Sequence, residues 1–245
     1  MRLDVLFSPA GLASHEVAGR PVVVVDILRT STVVVAALFR GARAVVPVAT
    51  VEEATRLAQS LGSDAAVLVG ERNGVPIEGF DLDNSPTAMT AERVRGKTLI
   101  MTTTNGTPAL LAAQGASEVF LAAASNLSLA AARARACLAD RRDLVILCSG
   151  TDGRFSLDDA YTAGRLAVLA LGGSRRRRGL NDAALVVVDL ARRYGDNWER
   201  ALTRSAAGRR LLLTNRQADL AEAIRQDAFP VLPVFRDRRI VTEAA

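Results

Sequence analysis

The stretch Val22-Val23-Val24-Val25-Asp26-Ile27-Leu28-Arg29-Thr30-Ser31-Thr32 decides the fold. Four consecutive β-branched residues without alternation suit a strand buried on both faces, as in a parallel sheet covered by helices. The run ends at a carboxylate. The hydroxyl residues that follow lead into a helix expected from Thr32 to Phe39, which Gly41 ends. The same order of apolar run, polar turn and helix recurs outward from this point. Strands are expected from Ala44 to Val48, Ala65 to Val69, Thr98 to Met101, Glu118 to Ala122 and Leu144 to Leu147. A strand-like run also spans Leu3 to Phe7. Helices are expected from Val51 to Leu61, Ala109 to Gln114, Ser128 to Leu138 and Leu157 to Leu171, with further ones over residues 182–194, 198–204 and 217–225. Thr50 is placed to cap the first of these, with Glu52 and Glu53 in its first turn. Val231 to Phe235 and Arg239 to Val241 are expected to close the sheet.

Strands alternating with helices predict a layered α/β/α fold with a largely parallel or mixed sheet. Residues 1–245 form one domain on this reading, with two intimately joined halves as the alternative. Ligands of such sheets bind outside the carboxyl ends of the strands. The polar clusters of this chain fall at those ends.

Composition narrows the function. Hydrophobic residues make up 49% and charged residues 23%, so the chain can build a core; aromatics are only 4%, so that core is aliphatic. No apolar run approaches the roughly 18 residues that span a bilayer, and no secretory leader is evident. Two cysteines, Cys137 and Cys148, make no disulfide framework, and a reducing cytoplasm is expected. Lys97 is the sole lysine among 31 cationic residues, so the basic pI near 10.1 reflects dispersed arginine. The one basic run, Arg175 to Arg178, reads as a solvated connector. With two Tyr and one Trp for stacking, nucleic-acid binding is not expected. A single histidine, His15, excludes a histidine-rich metal site within one chain.

Four polar clusters carry the chemistry. In the first, Asp26 can bind a hard cation, Arg29 can grip a phosphate or sulfonate with its planar fork, and Thr30, Ser31 and Thr32 lie at a helix start that favours anions. An ordinary capped helix start fits the same residues. The second joins Gly70-Glu71-Arg72-Asn73-Gly74 to a loop containing Glu78, Asp81, Asp83, Asn84 and Ser85. Its acids are either metal ligands or turn formers. The third, Thr102-Thr103-Thr104-Asn105-Gly106-Thr107-Pro108, is a plausible anion cradle or a polar helix cap; it lacks the Walker pattern. The fourth runs from Cys148 through Asp152, Arg154 and Ser156 to Asp158 and Asp159. Its Cys-x5-Arg spacing is similar to the phosphate loop of cysteine-dependent phosphatases, but Asp152 would oppose a thiolate, and a small residue ending a buried strand is the plain alternative for Cys148. Asp26 lacks the second Asp two residues on that a haloacid-dehalogenase pattern needs.

These clusters, in this order over residues 22–164, resemble the 2-phosphosulfolactate phosphatase family. The matching segments are Val25 to Thr32, Gly70 to Gly74, Gly79 to Pro86, Thr102 to Thr107 and Cys148 to Asp159. Gly208-Arg209-Arg210-Leu211 and Val231-Leu232-Pro233-Val234 are similar to its weaker carboxyl-terminal part. The resemblance implies an α/β fold and Mg²⁺-dependent hydrolysis of 2-phospho-3-sulfolactate, a step of coenzyme M biosynthesis. It implies a site in which Asp26, Arg29, Arg72 and Asp158 are catalytic. Asp26 with Asp158 or Asp159, then Glu71 or Asp81, would hold the metal. Thr30, Asn84, Ser85, Thr104, Asn105, Gly106, Thr107, Arg154 and Ser156 would hold the substrate. Arg29, Arg72 and Arg154 are expected to converge from separate strand ends. Direct attack by water and a phosphoenzyme at Asp26 both stay open. The rival readings are a metal-dependent phosphatase for another small acidic metabolite, a non-catalytic anion-binding module and an arginine-rich nucleic-acid binder. A homodimer is the default oligomer.

Overall fold

The computed structural model describes residues 2–62, 64–172 and 178–243; of the arginine run, only Arg178 lies among them. The described strands make one ten-stranded sheet. Its first block sets β1 (Leu3–Leu6), β8 (Leu144–Cys148), β2 (Pro21–Val25) and β7 (Glu118–Ala122) side by side, all parallel. Its second block, also parallel, holds β3 (Ala44–Pro47), β6 (Thr98–Thr102) and β4 (Ala66–Arg72). A hairpin of β9 (Pro233–Arg236) and β10 (Arg239–Thr242) lies between the blocks and pairs antiparallel with β7 and β3. The short β5 (Val75–Pro76) adds an antiparallel edge to β4. The last two strands therefore sit in the middle of the sheet.

Three successive antiparallel steps reverse the sense of the second block relative to the first. A flat sheet would then put the carboxyl ends of β2 and β6 on opposite edges. Strand twist of roughly 20–25° per step, accumulated over the five steps from β2 to β6, turns them by about 100–125°. This accounts for the meeting of the two carboxyl ends at one corner, where Thr30 and Thr103 bring their hydroxyls to 3.4 Å.

Both faces of β2 are covered, as its unbroken valine run requires. Val23 and Val25 pack with α6 (Leu127–Ala139), α7 (Leu157–Ala170) and α8 (Asp182–Tyr194). Val22 and Val24 face α2 (Thr30–Phe39) and α5 (Gly106–Ala112). Helix α2 is buried from Thr30 through Leu38. Its Val33-Val34-Val35 run is a poor helix former in isolation. Burial of each valine, contributing about 1.5–3 kcal/mol, overrides that preference. A smaller core of Val48, Ala54, Ala66 and Ile100 lies under α3 (Val51–Leu61). Thr50 caps α3 by accepting from the Glu53 amide at 3.1 Å. The remaining short helices are α1 (Ser14–Val17), α4 (Ala91–Val94), α9 (Trp198–Arg204), α10 (Ala206–Leu213) and α11 (Gln217–Ala223). No described helix is long and apolar enough to cross a membrane.

Phe120 is fully buried on β7, in register with Val23 of β2 and Val234 of β9. It therefore couples the first block to the central hairpin. Phe120→Ala is expected to lower the unfolding free energy by about 3–5 kcal/mol in urea titration.

Candidate active site

Asp26 ends β2 and is 5% exposed. The hydroxyl residues after it close the turn into α2. Asp26 donates its amide to Ser31 Oγ at 3.0 Å and accepts from the Ser31 amide at its carbonyl, 2.7 Å away. Thr32 Oγ1 donates to the Ile27 carbonyl at 2.8 Å. The Thr30 amide donates to Asp26 Oδ1 at 3.1 Å, and the Thr30 side chain also hydrogen-bonds this carboxyl, whose other oxygen is Oδ2. Residue 106 lies against that oxygen. A Cβ there would stand 2.4 Å from Asp26 Oδ2 and 2.3 Å from Thr30 Oγ1, so only glycine fits.

Burial raises the Asp26 pKa to about 6; the hydrogen bonds from Thr30 oppose the shift, and the charges of Asp158 and Glu71 add to it. Asp158 is raised by burial, against hydrogen bonds from Ser156 and Ser205. Asp159 is pushed well above the carboxylate range by burial and then by Asp158 and Asp26. These three carboxyls thus lie close together, and none of them forms an ion pair among the described residues.

Asp26 opens on a cavity of about 220 Å³. That is room for about seven waters at roughly 30 Å³ each, the size of a small metabolite. One wall comes from strand ends and loops, with Leu28, Arg29, Thr30, Glu71, Gly74, Asn84, Asn105 and Thr151. The other comes from α10 and the turn after it, with Ala206, Ala207, Arg210, Leu211, Thr214 and Arg216. Arg29 is held at 2.7 Å by Asp219 of α11, and the pair is buried. Asp219 also accepts from Ser85 Oγ at 2.5 Å and Thr87 Oγ1 at 3.2 Å. Arg216 joins the network at 2.5 Å from Asp83 and 3.6 Å from Asp219. Glu71 accepts from the Thr104 amide at 2.7 Å and the Gly74 amide at 2.5 Å. Asn105 Oδ1 accepts from the Asp152 amide at 3.0 Å, which turns its Nδ2 group free to donate. Asn84 Oδ1 is buried without a hydrogen-bond partner among the described residues.

The fold therefore brings together Asp26, Arg29, Thr30, Glu71, Asn84 and Asn105. Ser85, Thr104, Gly106 and Asp158 stand directly behind them, and Thr107 bonds Thr103 in the turn that supports Thr30. Other expected site residues lie elsewhere. Strand β4 continues through Arg72, so Glu71 and Arg72 point to opposite faces. Glu71 reaches the cavity, while Arg72 bonds Thr102 Oγ1 at 2.8 Å on the side of α3. Asp81 accepts from the Leu68 amide at 2.8 Å and braces the edge of β4. Arg154 is exposed and does not line the cavity, so the expected convergence of Arg29, Arg72 and Arg154 does not occur. Asp159 is consumed by the backbone. It accepts from the Ile27 and Gly150 amides and from Ser149 Oγ, each at 3.0 Å, and ties β2 to β8. Ser156 donates to Asp158. Cys148 is buried, and burial followed by Asp159 and Asp158 pushes its thiol well up, against a thiolate role. His15 is exposed on α1, beside Arg2 and Arg20, away from this cavity. No group of three or more His, Cys, Asp or Glu among the described residues is arranged to enclose a metal.

Comparison with known proteins bears on what this cavity does. The 2-phosphosulpholactate phosphatase family matches residues 6–238. The chain belongs to that family. It is 50% identical to a probable 2-phosphosulfolactate phosphatase of Caldanaerobacter subterraneus subsp. tengcongensis over 145 residues, 59% of each chain. It is 38% identical to one of Symbiobacterium thermophilum over 93% of this chain and 96% of that protein. It is 34% identical to one of Clostridium beijerinckii over 99% of this chain and 100% of that protein. As a member of the 2-phosphosulpholactate phosphatase family, the chain is a phosphoric monoester hydrolase.

Sequence reasoning missed the half of this phosphatase's cavity that lies beyond residue 200. Arg210 falls within a segment that carried the family resemblance, but Arg216 and Asp219 have no local signal. The parity of Glu71 and Arg72 did have one. Asn73-Gly74, with φ of 52° and 75°, marks a two-residue hairpin turn and hence a strand continuing to Arg72.

Two outcomes are expected. Asp219→Asn leaves Arg29 buried beside a neutral partner, so it is expected to cost about 3–5 kcal/mol in denaturant titration. For Asp26, the folded pKa lies above the unfolded one, so the native state holds the proton more tightly and loses stability as pH rises through about 6. Raising pH from 5 to 7 without divalent ions is therefore expected to lower Tm, and Asp26→Asn to flatten that decline by several degrees.

Proposed function

We propose that this phosphatase hydrolyses 2-phospho-3-sulfolactate to 3-sulfolactate and phosphate, with Mg²⁺ held at Asp26. The observation that carries the reading is the meeting, in one small cavity, of a buried carboxylate with three guanidinium groups. Arg29, Arg210 and Arg216 are suited to a substrate bearing several acid groups. Their charge is not left in surplus, because Asp83, Asp219, Asp26 and Glu71 supply four carboxylates around them. A multiply anionic substrate entering this balance needs a further cation.

The donor set fits Mg²⁺. That ion is commonly bound through one or two carboxylates, with waters and phosphate oxygens completing the shell. Asp26 and Glu71 both line the cavity, and the orphaned Asn84 Oδ1 is a further hard oxygen. When bound, the ion would neutralise phosphoryl charge and lower the pKa of an attacking water. The protein's own groups do the rest. Asn105 Nδ2 and the Thr30 hydroxyl donate to the phosphoryl oxygens. Asp219 fixes Arg29, so its remaining donors meet the ligand without reorganising. The product would enter coenzyme M biosynthesis in the cytoplasm.

Phosphate release from 2-phosphosulfolactate, with Mg²⁺ and then with chelator, tests this. Activity is expected to vanish with chelator and to fall at least about 100-fold in Asp26→Asn. Cys148→Ser, away from the cavity, is expected to keep wild-type turnover. Turnover that survives chelation but disappears in Cys148→Ser would replace this reading with thiolate chemistry.

A further inference from the structure

The three arginines of the cavity are not equivalent. Arg29 and Arg216 are spoken for: each is ion-paired, and they share Asp219. Arg210 lines the same cavity and forms no ion pair with any described carboxylate. It projects from a rigid element. Ser205 Oγ caps α10 by accepting from the Gly208 amide at 2.8 Å, and Leu211 anchors the helix in the core. Its guanidinium lies over the β4–β5 turn. A Cβ on Gly74 would stand 2.9 Å from Arg210 Cζ and 3.0 Å from Nη2, so the turn is kept bare where the arginine rests. The guanidinium is exposed on the helical wall without an ion pair among the described residues, whereas the donors Asn105 and Thr30 stand on the strand-end wall.

We propose that Arg210 recognises the substrate's sulfonate and so sets selectivity for sulfonated phosphate esters. The proposal rests on the phosphatase reading above and assigns a role within its cavity. The sulfonate, carried on a methylene, projects further from the phosphoryl-bearing carbon than the carboxylate does. It therefore suits the cation at the opposite wall. A planar guanidinium fork can take two of its oxygens at once, which a lysine ammonium cannot do. Arg210 touches the substrate but not the reacting atoms, so its loss falls on binding.

The test compares wild type, Arg210→Met and Arg210→Lys on 2-phosphosulfolactate and on 2-phospholactate, which lacks the sulfonate. Arg210→Met keeps the apolar stem. It is expected to raise KM for the sulfonated ester roughly 10- to 100-fold, with a much smaller effect on kcat. The KM for 2-phospholactate and inhibition by inorganic phosphate are expected to move by no more than about threefold. Arg210→Lys should recover part of the loss. Equal penalties on both esters, weaker phosphate inhibition in step with them, or no change in KM would each overturn the assignment. Calorimetric binding of 3-sulfolactate separates this proposal from the phosphatase reading. If wild type binds 3-sulfolactate and Arg210→Met does not, Arg210 reads the sulfonate even should neither ester be turned over. Undiminished binding by Arg210→Met would end the proposal.

Discussion

Holding an ionised carboxylate at the dry end of an all-valine strand costs several kcal/mol unless something offsets it. Asp26 meets that cost in part through the Thr30 amide, and the chain around it is shaped by the same need. The hydroxyl residues of the β2–α2 turn and the bare backbone at Gly106 both follow from seating one largely buried charge at the cavity floor. Asp158 and Asp159 deepen the problem, because they add negative potential to the same region. Such a concentration of acid is poor design for stability alone. Such perturbed, clustered titratable groups are characteristic of functional sites.

The Arg29–Asp219 pair is the complementary device. A buried ion pair seldom adds net stability over an apolar replacement. What it provides here is placement. Asp219 gathers Arg29, Ser85, Thr87 and Arg216, which come from three separated stretches of chain, around one carboxylate. The α10–α11 segment is thereby registered against the strand ends. Asp219, together with the Arg216–Asp83 pair, ties the two walls of the cavity to each other.

Much of the architecture was legible from local pattern. The valine run, the Thr50 cap and the strand from Glu118 to Ala122 each obey short-range rules, and the structure places elements there. The strand-end half of the cavity was also legible, since each cluster follows its own strand. What stayed hidden depends on contacts distant in sequence. No local signal says that β9 and β10 enter the middle of the sheet, so the reversal of the second block could not be read. Arg210, Arg216 and Asp219 reach the cavity only because α10 and α11 dock across it. Arg72 was misplaced for a smaller reason: a strand was ended three residues early, and in a period-two element that decides which face a side chain takes.

The position of the β9–β10 hairpin has a consequence for how the chain is made. Residues 233–242 complete the pairing of both β7 and β3. During vectorial synthesis those partners emerge more than a hundred residues earlier and wait with raw edges. Unpaired edges invite association with other nascent chains. Topologies whose decisive contacts are so remote also close slowly. Both edges thus stay open to misassembly until residues 233–242 insert between them.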